Sequence, residues 1–179
     1  MKILCVSGTV TGSKTLLVIN KVMEEIKKKL PEAEVEMLDM KHYDVQFCDG
    51  RPSSDYTGDT KKVIDLISSA DSYIFGSPIF QGSFTGVLKN LIDLVPPAIF
   101  KNKVMGFVAT GSNINHYLVV ENHLKPIAAY LNAYVTPSFV YAYNKQFNDQ
   151  NEIVDSELIN QIDTFSYEIC FLNKKLYQC

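Results

Sequence analysis

Three times in this chain an apolar run of strand length ends in a short polar loop and gives way at once to an amphipathic helix pattern. Ile3 to Val6 leads through Ser7 to Thr15 into a helix with Leu16, Ile19, Met23, Ile26 and Leu30 on one face. Ser72 to Gly76 leads through Ser77 to Phe84 into a helix with Val87, Leu88, Leu91, Ile92 and Val95, and Lys103 to Ala109 leads through Thr110 to Asn113 into one with Leu118, Val119, Leu124, Ile127 and Leu131. Continuous apolar runs are the mark of strands buried on both faces, and apolar residues at three-four spacing mark the helices that cover them. Glu34 to Met40 and Ala133 to Val140 complete five strands; helices opening at Asp59 or Thr60 and at Asp155 or Ser156 complete five helices. The last helix carries a stripe of Leu158, Ile162, Phe165, Ile169, Leu172 and Leu176. Strand and helix in strict alternation predict an α/β fold: a parallel sheet with helices on both faces, joined by right-handed crossovers.

A chain of 179 residues suits one domain, here residues 1–179. A net charge of -3 supplies no basic field for nucleic acid. The opening residues are apolar only as far as Val6, so neither a signal peptide nor a membrane span is expected, and the reading is a cytoplasmic protein. Cys5, Cys48, Cys170 and Cys179 show no metal or redox spacing, and the three histidines form no ligand cluster.

Local signals set the expected boundaries. Gly76, Ser77 and Pro78 stop the third strand, Thr85 caps the helix after it, and Pro31 and Pro96-Pro97 end helices. Pro126 inside a helical pattern predicts an irregular turn near Asn122 to Lys125. The connection from Lys41 to Gly58 is long enough either to cover a ligand or to be a surface excursion.

In parallel sheets of this kind ligands sit beyond the carboxyl ends of the strands, where strand order reverses. All three unusual loops fall at that edge. The first opens a helix, whose leading N–H groups lack partners and attract anions; Ser7, Thr9, Ser13, Lys14 and Thr15 add hydroxyls and a cation. The same residues also suit a plain turn and cap. The second loop, with Phe80 as an aromatic wall, and the third, Thr110 to Asn113, suit the edges of a flat ring, so the three together point to a mononucleotide. Neither a Walker loop nor Gly-x-Gly-x-x-Gly is present.

Ser7-Gly8-Thr9 with Ser13-Lys14-Thr15, Gly76 to Phe80, Gly86 to Asn90 and on to Asp93, Ala109 to Ser112, His116 and Leu124-Lys125-Pro126 together resemble the NADPH-dependent FMN reductase family, from Lys2 to about Tyr143. The resemblance is closest to its alkanesulfonate-pathway branch. It implies a flavodoxin-like three-layer sandwich with a five-stranded parallel sheet in the order 2-1-3-4-5, bound FMN, and a homodimer or homotetramer whose interface borders the flavin. It implies that Ser7, Thr9, Ser13, Lys14 and Thr15 hold the phosphate, that Pro78, Ile79, Phe80, Gln81, Gly82 and Ser83 face the isoalloxazine, and that Thr110, Gly111 and Ser112 face its pyrimidine side. Three positions depart from the family pattern: Phe80 replaces a frequent Tyr, Ser112 a second Gly, and the first loop lacks an Arg.

The implied reaction passes hydride from NADPH or NADH to N5 of FMN, after which reduced flavin leaves for a monooxygenase or reduces a quinone or azo acceptor. No side chain need act as acid or base; His116 either contacts the ring or bonds within its own helical turn. Nothing in the residues selects NADH or NADPH, because no charged residue can be assigned to the ribose 2′ position. A flavodoxin-like one-electron carrier without NAD(P)H activity, or a domain of this fold without flavin, are the alternatives.

Overall fold

The computed structural model describes residues 1–177, so Cys179 lies outside it. Five parallel positions form the sheet in the anticipated order: β2 (Glu34–Asp39), β1 (Lys2–Ser7), β3 (Ser72–Phe80), β5 (Val104–Gly111), and a last position shared by β6 (Tyr134–Val135) and β7 (Val140–Tyr143). A short β4 (Ser83–Phe84) pairs antiparallel with the end of β3. Helices α1 (Lys14–Lys29) and α5 (Ser156–Tyr177) pack on one face, through Ile19, Val22, Ile26, Phe165 and Ile169 against Ile3, Cys5, Ile74, Val104 and Val108. On the other face α2 (Gly58–Ser68), α3 (Gly86–Leu94) and α4 (Lys125–Tyr130) bury Val63, Ile67, Leu88, Leu91 and Ala128 against Leu4, Val6, Tyr73, Phe75 and Phe107. The two apolar layers are what the unbroken runs in β1, β3 and β5 require.

Three boundaries differ from the sequence reading. Strand β3 does not stop at Gly76; it runs through Ser77 and Pro78 to Phe80. Its neighbour β1 ends where Ser7 pairs with Gly76, so beyond that point β3 is an edge on that side, where Pro is tolerated. The expected loop is therefore a hairpin turned by Gln81 and Gly82, both at positive φ (49° and 78°) as the tightest hairpins need. The single strand expected over 133–140 is split, because Pro137 cannot donate to the ladder; Glu168 of α5 takes the N–H and hydroxyl of Ser138 instead, at 2.8 and 2.6 Å. Helix α2 begins after Thr57 rather than at Asp59 or Thr60. Those two side chains are already committed to the long loop, accepting the N–H groups of Asp44 and Gln46 at 3.2 and 2.9 Å.

That loop is an excursion fastened to helices. Cys48 N–H donates to Asn90 of α3 at 2.8 Å, and the Asn90 amide returns a bond to Gln46 C=O at 2.9 Å. Thr85 caps α3 as expected, accepting Leu88 N–H at 3.2 Å. The irregular turn before Pro126 is a π turn at Val120–Leu124, which leaves Pro126 in the first turn of α4, where its missing N–H costs nothing. Asp155 caps α5, through Leu158 N–H at 2.8 Å. Among the described residues no helix is long and apolar enough to cross a membrane, and no cluster of His, Cys, Asp or Glu could hold a metal.

Strand β5 meets α5 at Gly106, where a Cβ would lie 2.6 Å from the Phe165 ring. Gly106→Ala is expected to destabilise the fold by about 1–3 kcal/mol, as overpacking does, in urea titrations. Burial inside β1 pushes the Cys5 thiol from 9.0 up to about 12. The unfolded chain ionises that thiol first, so stability is intact below pH 9 and falls as pH rises towards 12. Cys5→Ala should flatten that fall by about 1.4 kcal/mol per pH unit, measured by denaturation between pH 9 and 11.

Candidate functional site

The ends of β1, β3 and β5 lie side by side in the sheet, Ser7 closing the β1 ladder against Gly76 and Pro78 pairing with Thr110 further along. Gly8 N–H then donates to Gly76 C=O at 2.8 Å, and the Thr85 hydroxyl donates to Gly8 C=O. Thr85 N–H in turn donates to Ser77 Oγ at 3.0 Å. One threonine thus joins the first loop, the hairpin strand and the start of α3.

Beyond this tie the first loop turns into α1. Ser13 is the N-cap residue but its side chain makes no capping bond, and the first turn holds no acid. The backbone N–H groups of Gly12, Ser13, Lys14, Thr15 and Leu16 have no acceptor among the described residues. Residues 12–15 of this run border a cavity of ≈ 380 Å³ whose other walls are Thr11, Pro78, Phe80, Thr110 and Asn151. A row of free amides at the positive end of a 16-residue helix is an anion site. Across it, the Thr15 and Thr110 hydroxyls meet at 2.7 Å, buried, and lock the first loop to the third.

Six of the anticipated residues line that cavity: Ser13, Lys14, Thr15, Pro78, Phe80 and Thr110. Phe80 stands 54% exposed beside it. The others take different places. Ser7 is fully buried beneath the loop, its hydroxyl without a partner. The Thr9 hydroxyl is used within the loop, donating to Thr11 C=O at 2.6 Å, and Ile79 is buried in the core. Gln81, Gly82 and Ser83 form the hairpin tip, where Ser83 Oγ lies 2.9 Å from His123 Nδ1 of the π turn. Gly111 and Ser112 continue from β5, and His116 is half-buried against Gly111 with its Nδ1 enclosed and unpartnered. The Lys14 ammonium donates to Asn144 at 2.9 Å and stands 5.1 Å from the Phe147 ring centroid.

Asn144 and Asn151 were not anticipated. They belong to a loop some 130 residues from Lys14 in the chain, and only folding brings it to the first loop. The one local signal was Asn148, whose side chain accepts the N–H groups of Gln150 and Glu152 and turns Asn151 to φ 60°.

A sequence model described as NADPH-dependent FMN reductase matches residues 1–148. The chain belongs to this family. It is 49% identical to an NAD(P)H-dependent FAD/FMN reductase of Geobacillus thermodenitrificans, over 98% of this chain and 95% of that one. It is 28% identical to an NADPH-type FMN reductase of Pseudomonas aeruginosa, over 88% and 84%. Among solved structures, the apo form of the NADH:FMN oxidoreductase EmoB superposes with a TM-score of 0.79 at 20% identity, covering 95% of this chain and 88% of that one, which establishes the shared fold. FMN and NAD(P)H are the cofactor and reductant of the family. The site fits that cofactor on its own terms: free amides, the unbonded Ser13 hydroxyl and no acid for a phosphate, beside an aromatic and a proline wall for a ring.

Thr15→Val or Thr110→Val leaves the other hydroxyl buried without its partner, and each should cost about 1–3 kcal/mol. The double variant should cost less than the sum, read from urea midpoints of all four proteins.

Proposed function

We propose that this chain is an NAD(P)H-dependent flavin reductase that holds FMN at the carboxyl edge of its sheet. The observation that carries the reading is the run of unpartnered amides from Gly12 to Thr15 at a cavity closed by the ends of β3 and β5. Bound there, FMN supplies the redox chemistry of the family, taking hydride from the pyridine nucleotide and giving two electrons onward.

The residues have separable tasks. Amides of the α1 N-terminus, with the Ser13 hydroxyl and the Lys14 charge, hold the phosphate. Pro78 and Phe80 give the ring an apolar wall, and the hairpin tip, braced by Ser83 against His123, keeps that wall in place. Thr110 to Ser112 border the pyrimidine side, and His116, packed against Gly111, supports that loop. Ser7 and Thr9 support the loop from beneath. No side chain is required as an acid or base.

The electrons would go onward in the cytoplasm, to a partner monooxygenase by way of released flavin or to a quinone or azo acceptor at the site. Phe80, more than half exposed, borders the site and supplies an apolar face for a dimer or tetramer.

Anaerobic visible spectra with FMN, titrated with NADH and with NADPH, are the test. Direct bleaching to the two-electron state at one equivalent is the expected result; a flavin that binds and stays yellow with both nucleotides makes the chain an electron carrier instead. Ser13→Ala with Lys14→Ala should weaken FMN binding about tenfold or more, as loss of a charge-assisted bond implies, in fluorescence titrations.

A further inference from the structure

A second cavity, ≈ 390 Å³, lies on the far side of the 112–117 loop, against the free edge of β7. Tyr117, Phe139, Tyr141 and Tyr143 form its aromatic walls, and Glu157 and Gln161 of α5 supply its polar side. Its walls are set before any ligand arrives. Tyr117 stacks on Phe139 with centroids 6.4 Å apart and planes 16° from parallel. The Tyr141 hydroxyl donates to Asn113 C=O and rests against Gly111, where any Cβ would collide with it. Burial raises that phenol to about 12, so it stays a donor at neutral pH.

What remains for a ligand is a particular set of groups. Ser138 is spent on Glu168, and the buried Gln146 on Tyr143 N–H and Asp155. The Glu157 carboxylate, the Gln161 carboxamide and the Tyr117 hydroxyl have no hydrogen bond or ion pair among the described residues. No Lys or Arg lines the cavity. Lys125, behind Phe139, is already paired with Glu121 at 2.8 Å. Helix α5 does not need Glu157 as a cap, since Asp155 fills that role.

Stacking faces with a free carboxylate and no cation suit a neutral base and a ribose diol, and they repel a phosphate. Where proteins distinguish the two pyridine nucleotides, an acid accepts the ribose 2′-hydroxyl of NADH, and a base is needed for the 2′-phosphate of NADPH. We propose that this cavity takes the adenosine end of the pyridine nucleotide, with Glu157 on the ribose diol, so that the enzyme prefers NADH. The proposal rests on the reductase reading above and names the residue that sets nucleotide choice. It also accounts for the position of the cavity, which shares the 112–117 loop with the pyrimidine side of the flavin site.

Calorimetry with two fragments tests binding without turnover: adenosine 5′-monophosphate, and adenosine 2′,5′-bisphosphate, on the FMN-loaded protein. The monophosphate should bind about tenfold tighter or better, Glu157→Gln should narrow that ratio, and Glu157→Lys should reverse it. Steady-state assays should show the same order in KM for NADH and NADPH, with kcat for the preferred nucleotide little changed. Unchanged constants for both fragments in Glu157→Gln and Glu157→Lys would overturn the proposal. So would a change confined to KM for an aromatic acceptor such as menadione, which would give the cavity to the acceptor. Failure to oxidise either nucleotide, with fragment binding intact, would overturn the reductase reading rather than the adenosine site.

Discussion

One backbone hydrogen bond, from Gly8 N–H to Gly76 C=O at 2.8 Å, marks where β1 gives out while β3 goes on. The residue making it has to be glycine: a Cβ would meet the Leu88 Cβ at 2.8 Å and the Gly76 carbonyl at 2.9 Å. Because β1 stops there, the chain can peel away into the first loop and deliver the N-terminus of α1 to the sheet edge. Because β3 continues, Pro78 and Phe80 rise beside that terminus and form the opposing wall. The cavity is the space between a strand that ends and a neighbour that does not.

The edge is then held by side chains that are polar but spoken for. Thr85 joins Gly8, Ser77 and Leu88, and Thr15 joins Thr110, so the loops are fixed without using the amides of the α1 turn. Below them the core is largely apolar on both faces of the sheet, which keeps Cys5 an un-ionised thiol and holds the strands in register. Polar capacity left open to a ligand lies in the amides at the start of α1 and in the Ser13 hydroxyl. Those amides are tolerable because they cost little at an exposed edge and gain a partner on binding.

Much of this was legible in the order of residues. Apolar runs of strand length located β1, β3 and β5, the three-four stripes located the long helices, and the small polar loops pointed to the right edge of the sheet. Errors came where a local signal had two possible uses. Gly76-Ser77-Pro78 reads as a strand terminator, yet the strand carries on because its neighbour has already ended. Asp59 and Thr60 read as caps, yet their side chains answer amides of the Lys41 to Gly58 loop. Pro137 was passed over inside a strand that it divides.

Chain order by itself determined the class of the fold, the two-faced burial of the sheet and the helix terminus offered to an anion, because each depends on periodicity or on neighbours a few residues away. Tertiary structure alone decided which hydroxyls stay free, that Lys14 leans on Asn144, that Asn151 walls the first cavity, and that Glu157 comes to face Tyr117 and Phe139 across a second one. These are meetings between residues far apart in the chain. No local rule ranks the partners a side chain will choose once the packing of the core has brought several within reach.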